Sequence, residues 1–245
     1  MFPLDKRPPS RGRFFVRNSS PVVDITDHER ESMPRALIFV NGELPNPGAM
    51  RSSIRPDDVL IAADGGARHA LKLGVIPTVI IGDLDSLSEA EVRVFTEMGV
   101  HILRYPPSKD ETDLELALQH AVKSGYQPIH IVAALGGRLD QVIGNLSLLA
   151  DPESIEAGVR IDDGLTEAFF VTSKATLNGQ PGDTISLLPW GMPAEGVTTD
   201  GLVYPLTKET LLPYRTRGIS NQLLAGTAKI CLKRGTLLCV HQRKS

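Results

Sequence analysis

The segment Ile80-Ile81-Gly82-Asp83-Leu84-Asp85-Ser86 decides the fold. Its apolar half ends at a glycine, and two carboxylates separated by one residue follow, which is typical of a buried parallel strand that leaves its sheet beside a ligand. Asp83 and Asp85 can both face one cation where the backbone bends, and Gly82 allows a close approach that a side chain would block. Asp-x-Asp-Ser is also typical of a capped helix start, so this segment alone leaves both interpretations open.

The composition is that of a globular protein. The chain has 245 residues, of which 41% are hydrophobic and 22% charged, so disordered and fibrous classes are excluded and one large or two modest domains are expected. Its net charge of -3 predicts no extended nucleic-acid surface. No apolar run reaches the length of a membrane span. Neither nucleic acid nor a membrane is therefore expected as a partner.

The two cysteines are predicted to be free thiols. Cys231 and Cys239 flank a predicted hairpin that turns at Arg234-Gly235, and in that register Cys231 lies opposite Leu238. Cys239 then lies on the opposite face of the sheet from Cys231, so the two sulfurs cannot meet to form a disulfide. Free thiols indicate a reducing compartment, and we expect a cytoplasmic protein.

Residues 1 to 33 differ in composition from the rest of the chain. They contain Pro and Ser clusters, and the first 23 carry five basic side chains against one acid. No apolar stretch follows the basic residues, so a secretory signal is not expected. The pattern favours a disordered N-terminal arm over a transit peptide.

Residues 34 to 157 alternate between short apolar strands and amphipathic helices. This pattern predicts an α/β domain with a Rossmann-like, mostly parallel sheet and helices on both faces. The predicted strands are 36–40, 59–63, 79–81 and 129–134, and the predicted helices are 67–73, 113–123 and about 141–149.

Residues 158 to 245 show a different pattern. Short apolar runs at 168–172, 184–188 and 237–240 are separated by turns rich in Gly, Pro, Asp and Asn, and helical periodicity disappears. We expect a second, all-β domain, a small sandwich or barrel, with the boundary within 151–165.

Polar residues and glycines follow four of the apolar strands. In open α/β sheets the ligand lies beyond the carboxyl ends of the strands, so these segments are expected to converge on one crevice. Their glycines offer backbone N–H groups to phosphate, their carboxylates can hold magnesium, and Arg138 offers a fork of donors, which together suit a nucleoside triphosphate. The segments are Asn41-Gly42, Asp64-Gly65-Gly66, Gly82 to Ser86, and Gly136 to Asp140.

A fifth segment, Ser108 to Asp113, begins the predicted helix 113–123. Ser108 or Asp110 is expected to cap this helix, and Glu111 fits the acidic first turn that the helix dipole favours. A cation just before a helix N-terminus is unfavourable for the same dipole. Lys109 is therefore interpreted as a phosphate contact. The chain lacks the P-loop, dinucleotide and protein-kinase signatures, so it predicts an ATP-binding site of another design.

Several separated motifs give the chain a resemblance to a known family. They are Asp64-Gly65-Gly66-Ala67, Gly82-Asp83-Leu84-Asp85-Ser86, Lys109-Asp110-Glu111-Thr112-Asp113, Gly137-Arg138-Leu139-Asp140-Gln141, Ser186 to Pro189, Gly201 to Leu206, and Ser220-Asn221. From Ala36 to its end, the chain resembles the thiamine pyrophosphokinase family. The resemblance implies transfer of diphosphate from ATP to thiamine, giving thiamine diphosphate and AMP, with Mg²⁺, in a homodimer whose thiamine site lies between subunits.

The strand ends and the resemblance together give a set of expected site residues. Metal ligands are expected at Asp83, Asp85 and Asp113, and catalytic roles at Asp64, Lys109, Arg138 and Asp140. Nucleotide contacts are expected at Asn41, Gly65, Gly66, Ser86, Lys109, Asp110, Thr112, Gly137, Arg138 and Gln141. Thiamine contacts are expected at Tyr204, Ser220 and Asn221, where Tyr204 replaces the tryptophan that is usual in the family and so offers a smaller stacking surface.

Two other functions are consistent with parts of the sequence. A phosphatase of the haloacid dehalogenase class also places Asp-x-Asp after an apolar strand, with the first aspartate as nucleophile. Against this class, Leu87 stands where Thr or Val is expected, and the motif lies on the third strand. The other alternative is a non-catalytic nucleotide or vitamin sensor with the same fold.

Overall fold

The computed structural model describes residues 34 to 244. The arm predicted for residues 1 to 33 lies outside them. The helices are α1 (Pro47–Ser53), α2 (Ala67–Lys72), α3 (Glu89–Glu97), α4 (Asp113–Lys123), α5 (Leu139–Leu149) and α6 (Pro152–Glu156). The first seven strands are β1 (Ala36–Phe39), β2 (Val59–Ala63), β3 (Val79–Gly82), β4 (His101–Arg104), β5 (Ile129–Val132), β6 (Arg160–Asp162) and β7 (Thr166–Val171). The others are β8 (Lys174–Asn178), β9 (Thr184–Pro189), β10 (Ala194–Asp200), β11 (Glu209–Leu211), β12 (Asn221–Gln222), β13 (Thr227–Cys231) and β14 (Leu237–Gln242).

A ten-stranded sheet runs through the described chain in the order β12-β9-β14-β7-β6-β5-β1-β2-β3-β4. The six strands from β6 to β4 are parallel, and β7, β14, β9 and β12 continue the sheet in antiparallel pairing. The predicted fold class, a mostly parallel α/β sheet followed by an antiparallel β-sandwich, is confirmed.

Successive apolar residues of the parallel strands point to opposite faces of the sheet, so helices pack on both faces. Ile38, Ile61 and Ile81 face one side, where they pack with α4 residues such as Leu114 and Ala117. Their chain neighbours, such as Leu37 and Ile80, face the other side and pack with apolar residues of α1, α2 and α3. Because both faces are covered, these strands consist almost entirely of apolar residues.

The antiparallel part of the large sheet forms one layer of the sandwich. The second layer is a four-stranded sheet in the order β11-β10-β13-β8. Ile185 and Leu237 from the first layer pack against Val197 and Ile230 from the second, and all four are fully buried. Alternation of buried and exposed residues along β10 and β13 matches a sheet with one face in the core and the other toward solvent.

The predicted hairpin between Cys231 and Cys239 is wrong. Cys231 ends β13, which pairs with β8 and β10, whereas Cys239 lies in β14, which pairs with β7 and β9. The chain crosses from one layer of the sandwich to the other at Gly235, so the two strands cannot pair. Both cysteines are free thiols, as predicted, with Cys231 exposed and Cys239 buried.

Several elements were not predicted from the sequence. They include α1, α3, α6, β4 and β6. For α3 a signal was present, since Ser88 and Glu91 form a reciprocal capping box at its start.

The domain boundary between residues 157 and 158 remains a prediction, and β6 extends the parallel sheet beyond it by pairing with β5. Within residues 34 to 244 no helix is long and apolar enough to cross a membrane.

Candidate active site

A cleft of about 700 Å³ lies at the carboxyl ends of the parallel strands. The chain runs outward from β1 through β2 to β4 and then returns to β5 on the other side of β1, so the order of strands reverses between β1 and β5. Ligands in open α/β sheets bind at such a reversal. The cleft is lined by polar residues from five strand-end segments, namely Asn41, Gly42, Glu43, Asp64, Asp83, Asp85, Ser86, Lys109, Glu111, Thr112, Asp113, Gly136, Gly137, Arg138, Gln141 and Asn145.

Three carboxylates form a cluster in this cleft. Oxygens of Asp64, Asp83 and Asp85 all lie within 4.8 Å of one another. Asp64 is buried, has a left-handed φ of 44°, and accepts a hydrogen bond from the Ser86 N–H at 3.3 Å through Oδ2. Its Oδ1 is buried and accepts no hydrogen bond from any residue in the described part of the chain. A strained, buried carboxylate that has one free oxygen and is clustered with two other carboxylates is typical of a cation ligand.

Lys109 lies between two of the predicted metal ligands. Its ammonium Nζ is 3.2 Å from Asp83 Oδ2 and 2.8 Å from Asp113 Oδ1. The N–H of Asp85 and then the Lys109 ammonium lower the pKa of Asp83. Burial raises the pKa of Asp113, the negative charges of Asp83 and Asp64 add to this effect, and Lys109 opposes it. Burial opposes the ammonium form of Lys109, but its contacts with Asp113 and Asp83 outweigh burial and raise its pKa.

The expected cap of helix α4 is corrected by the structure. The N-cap is Thr112, whose side-chain oxygen accepts from the Glu115 N–H at 3.2 Å, and neither Ser108 nor Asp110 takes this position. Asp113 is thereby the first residue of the helix, and its carboxylate reaches back to Lys109 in the same short segment. This i,i+4 pair explains how a cation is tolerated just before a helix N-terminus.

The glycines after β2 are required by close packing. A Cβ on Gly66 would lie 2.0 Å from the carbonyl oxygen of Phe39, and a Cβ on Gly65 would lie 2.9 Å from Asn41 Nδ2. The turn that carries Asp64 can therefore lie directly against the end of β1. Gly65 and Gly66 support the cleft from behind, since neither is among the described residues that line it.

The glycine-arginine segment borders the cleft at the start of α5. Gly136 and Gly137 have φ values of 80° and 68°, which side chains rarely adopt. The Gly137 N–H donates to Glu43 Oε1 at 3.3 Å, so an acidic side chain covers part of the predicted phosphate loop. Arg138 is exposed and pairs with Asp140 through Nε at 3.1 Å. Asp140 lies outside the lining of the cleft, as does Asp110, among the residues that the structure describes.

Three lining residues with polar side chains, Glu43, Asn145 and Glu111, were not predicted as site residues. Glu43 could have been found because it follows Asn41-Gly42 directly. Asn145 lies one helical turn after Gln141 on α5, and its side chain is buried and donates to the Ala134 carbonyl at 2.8 Å. The prediction that Glu111 lies in the first turn of the helix is wrong: it precedes the N-cap Thr112 and lines the cleft.

The predicted thiamine contacts lie together in the sandwich and away from the cleft. Asn221 is buried, accepts from the Tyr204 N–H at 3.0 Å and donates to the Tyr204 carbonyl at 2.7 Å. Tyr204 is 61% exposed, which excludes a role in the sandwich core. Ser220 has a left-handed φ of 56°, and its N–H donates to Ser186 Oγ at 3.0 Å. In residues 34 to 244 none of the three lines the cleft.

The fold and the cleft define a class of protein, an α/β domain with an acidic ligand cleft at a strand-order reversal and an attached β-sandwich. Two family models match the chain: "Thiamin pyrophosphokinase, catalytic domain" over residues 50–161 and "Thiamin pyrophosphokinase, vitamin B1 binding domain" over residues 174–237. The chain belongs to the thiamine pyrophosphokinase family, as the motif resemblance predicted.

Individual relatives agree with this assignment. Thiamine pyrophosphokinase of Bacillus subtilis is 29% identical over 183 residues, covering 74% of this chain and 86% of its own length. Thiamine pyrophosphokinase 1 of Arabidopsis thaliana is 28% identical over 200 residues, covering 70% of this chain and 73% of its own. The crystal structure of the Bacillus subtilis thiamine pyrophosphokinase superposes with a TM-score of 0.77 at 24% identity, covering 86% of this chain and 100% of that one, and shows that the fold is shared.

Proposed function

We propose that this protein transfers the terminal diphosphate of ATP to the hydroxyethyl group of thiamine, giving thiamine diphosphate and AMP. The observation that carries the proposal is the cluster of Asp64, Asp83 and Asp85 beside Lys109, in a cleft where five strand-end segments converge. Membership of the family supplies the acceptor, and its named relatives are thiamine pyrophosphokinases. That membership gives no support to a haloacid dehalogenase-like phosphatase or to a non-catalytic sensor.

The acidic cluster fits a divalent cation, and we propose Mg²⁺. Hard oxygen ligands suit this ion, and the buried Oδ1 of Asp64 has no hydrogen-bond donor among the described residues. Asp64, Asp83 and Asp85 would hold the ion. Asp113 stays a predicted ligand: its buried Oδ1, like that of Asp64, accepts no hydrogen bond of good geometry from the described residues, and it lies 2.8 Å from the Lys109 ammonium. When bound, Mg²⁺ neutralises charge on the phosphate oxygens during transfer.

Lys109 supplies positive charge to the reacting phosphates. Its side chain is only 10% exposed, and Asp83 and Asp113 hold the ammonium in place, so it is oriented before ATP binds. Fixed charge in a partly desolvated cleft stabilises developing charge more effectively than a mobile side chain in water. Arg138, at the opposite side of the cleft, is exposed and can leave Asp140 to contact a phosphate bidentately. The Gly137 N–H could serve as a further donor only after Glu43, to which it now donates, moves away.

We further propose a homodimer in which the Tyr204 face of one subunit contacts the cleft of the other. Tyr204 and Leu224 are more than half exposed in the sandwich, and Leu139 and Ile143 are more than half exposed on α5 beside the cleft. An aromatic face that binds a cationic thiazolium ring would account for the exposure of Tyr204. A cytoplasmic location is also proposed, because an exposed Cys231 and a buried Cys239, both free, suit a reducing compartment.

A single incubation tests the proposed reaction. Purified protein is mixed with ATP, Mg²⁺ and thiamine, and AMP and thiamine diphosphate are measured by chromatography. We expect both products in equal amounts, and neither without thiamine. Release of inorganic phosphate with a covalent phosphoaspartate at Asp83 would instead support the phosphatase, and binding without any AMP would support the sensor.

A further inference from the structure

Arg68 lies on α2, behind the turn that carries Asp83 and Asp85. Its guanidinium contacts Glu91 bidentately, with Nε 2.6 Å from Oε1 and Nη2 2.8 Å from Oε2. The same Nη2 donates to the Ser86 carbonyl at 2.6 Å. The Arg68 guanidinium thus links the turn that follows β3, through the Ser86 carbonyl, to helix α3, through Glu91.

Glu91 fixes the far end of this connection. Its Oε2 accepts from the Ser88 N–H at 2.8 Å and from the Ser88 hydroxyl at 2.7 Å, which closes the capping box of α3. The hydrogen bonds from Arg68 and then Ser88 lower the pKa of Glu91 to about 2. The carboxylate therefore stays ionised over the working pH range of most proteins and keeps its contact with Arg68.

Ser86 connects the guanidinium to the acidic cluster. Its N–H donates to Asp64 Oδ2 at 3.3 Å, and its hydroxyl donates to Asp85 Oδ1 at 3.3 Å. Ser86 is thus hydrogen-bonded to Arg68 on one side and to two of the clustered carboxylates on the other. Without the Arg68 side chain, the Ser86 carbonyl at the end of this turn would lose the hydrogen bond that the guanidinium donates to it.

We propose that Arg68 is a positioning residue for the divalent cation, acting through the Ser86 backbone on Asp64 and Asp85. The proposal rests on the proposed function, because it assumes that this cluster binds the cation used in diphosphate transfer. Arg68 does not itself contact the reacting groups, since it is not among the described residues that line the cleft. Residues that orient metal ligands typically change metal affinity by about 10-fold to 100-fold when mutated.

Substrate-free protein allows a direct test. Mn²⁺ serves as the probe, and free Mn²⁺ is counted by electron paramagnetic resonance in titrations of the wild type, Arg68→Lys and Arg68→Met. We expect Arg68→Met to bind Mn²⁺ about 10-fold more weakly. Arg68→Lys should show a smaller loss, because an ammonium keeps the charge but cannot donate to Glu91 bidentately and to Ser86 at once.

The chain offers a matched control. Arg217 contacts Glu209 bidentately at 2.9 and 2.7 Å in the sandwich, with exposure similar to that of the Arg68 pair. Arg217→Lys should leave Mn²⁺ binding unchanged, so an effect of Arg68→Lys cannot be attributed to the loss of a surface ion pair in general. If Arg68→Met does not fold, Arg68→Lys with thermal melts provides the test.

Kinetics supply a second measurement. The Mg²⁺ concentration for half-maximal rate should rise in both Arg68 variants, saturating Mg²⁺ should restore kcat, and the KM for thiamine should stay unchanged. Unchanged Mn²⁺ and Mg²⁺ dependence in a folded Arg68→Met variant would overturn the proposal, as would a wild type that binds no Mn²⁺. Weaker Mn²⁺ binding in the variants of a protein that makes no thiamine diphosphate would overturn only the proposed acceptor.

Discussion

His241 on β14 is fully buried between two carboxylates. Its Nε2 lies 2.8 Å from Asp183 Oδ2 and its Nδ1 lies 3.4 Å from Glu167 Oε2. Both ring nitrogens can donate only in the imidazolium form. Although burial favours the neutral ring, the hydrogen bonds to Glu167 and Asp183 prevail and raise the pKa of His241. We therefore expect a charged histidine to stabilise the folded protein.

Replacement of His241 by glutamine should cost about 3 kcal/mol. Removal of one partner from a buried ion pair typically costs about 3 to 5 kcal/mol, because the remaining charge is left uncompensated. The lower end applies here, since Asp183 keeps backbone donors at Gln180 and Lys244, each at 2.9 Å. Glu167 likewise keeps Arg160 at 2.6 Å.

The contribution of His241 depends on pH in a defined direction. Because its pKa is raised on folding, the stabilisation is fully present below the unfolded value of about 6.5 and is lost as pH rises through the folded value. Glu167 shows the opposite behaviour. Burial opposes its ionised form, but His241 and Arg160 lower its pKa to about 2 from 4.5, so its contribution is lost as pH falls from 4.5 toward 2. Both contributions are complete between about pH 4.5 and 6.5.

Urea denaturation at about pH 6 and pH 9 measures this effect. The loss in unfolding free energy on replacing His241 by glutamine should be larger at pH 6 than at pH 9. The difference between variant and wild type is the proper measure, because burial lowers the pKa of His69 and His130 and their contribution has the opposite dependence on pH. His101→Gln is the matched control, because His101 is exposed on the edge strand β4. An equal loss of stability from His241→Gln at both pH values, or a His241→Gln variant as stable as the wild type at pH 6, would refute the reasoning.

Two further predictions concern the cleft and the sandwich. Asp85→Asn should abolish turnover with unchanged thermal stability, because it removes an anionic cation ligand from an exposed position, and near wild-type activity in the folded variant would contradict the role of Asp85. Tyr204→Ala should raise the KM for thiamine and leave that for ATP nearly unchanged, while Tyr204→Trp should hold or lower it, since a cation stacks better on the larger ring. Because Tyr204 is exposed, the alanine variant should melt within a few degrees of the wild type, and an unchanged thiamine KM would remove Tyr204 from the site.

The sequence was sufficient to predict features that depend on local pattern. Strand β2 and helix α4 have the predicted bounds, because apolar periodicity is a property of neighbouring residues. The convergence of Asp64, Asp83, Lys109 and Arg138 was also predictable, since carboxyl ends of parallel strands meet at one edge of a sheet.

Contacts between distant segments were decided only by the tertiary structure. The sequence placed Asp113 with Asp83 and Asp85 as ligands, and only the fold shows that Asp64 clusters with Asp83 and Asp85 and that the Lys109 ammonium lies between Asp83 and Asp113. Nothing in the local pattern of Cys231 and Cys239 reveals that their strands belong to different layers. Strand pairing and side-chain direction depend on which segments meet in space, and a short polar turn can connect either two strands of one sheet or two sheets.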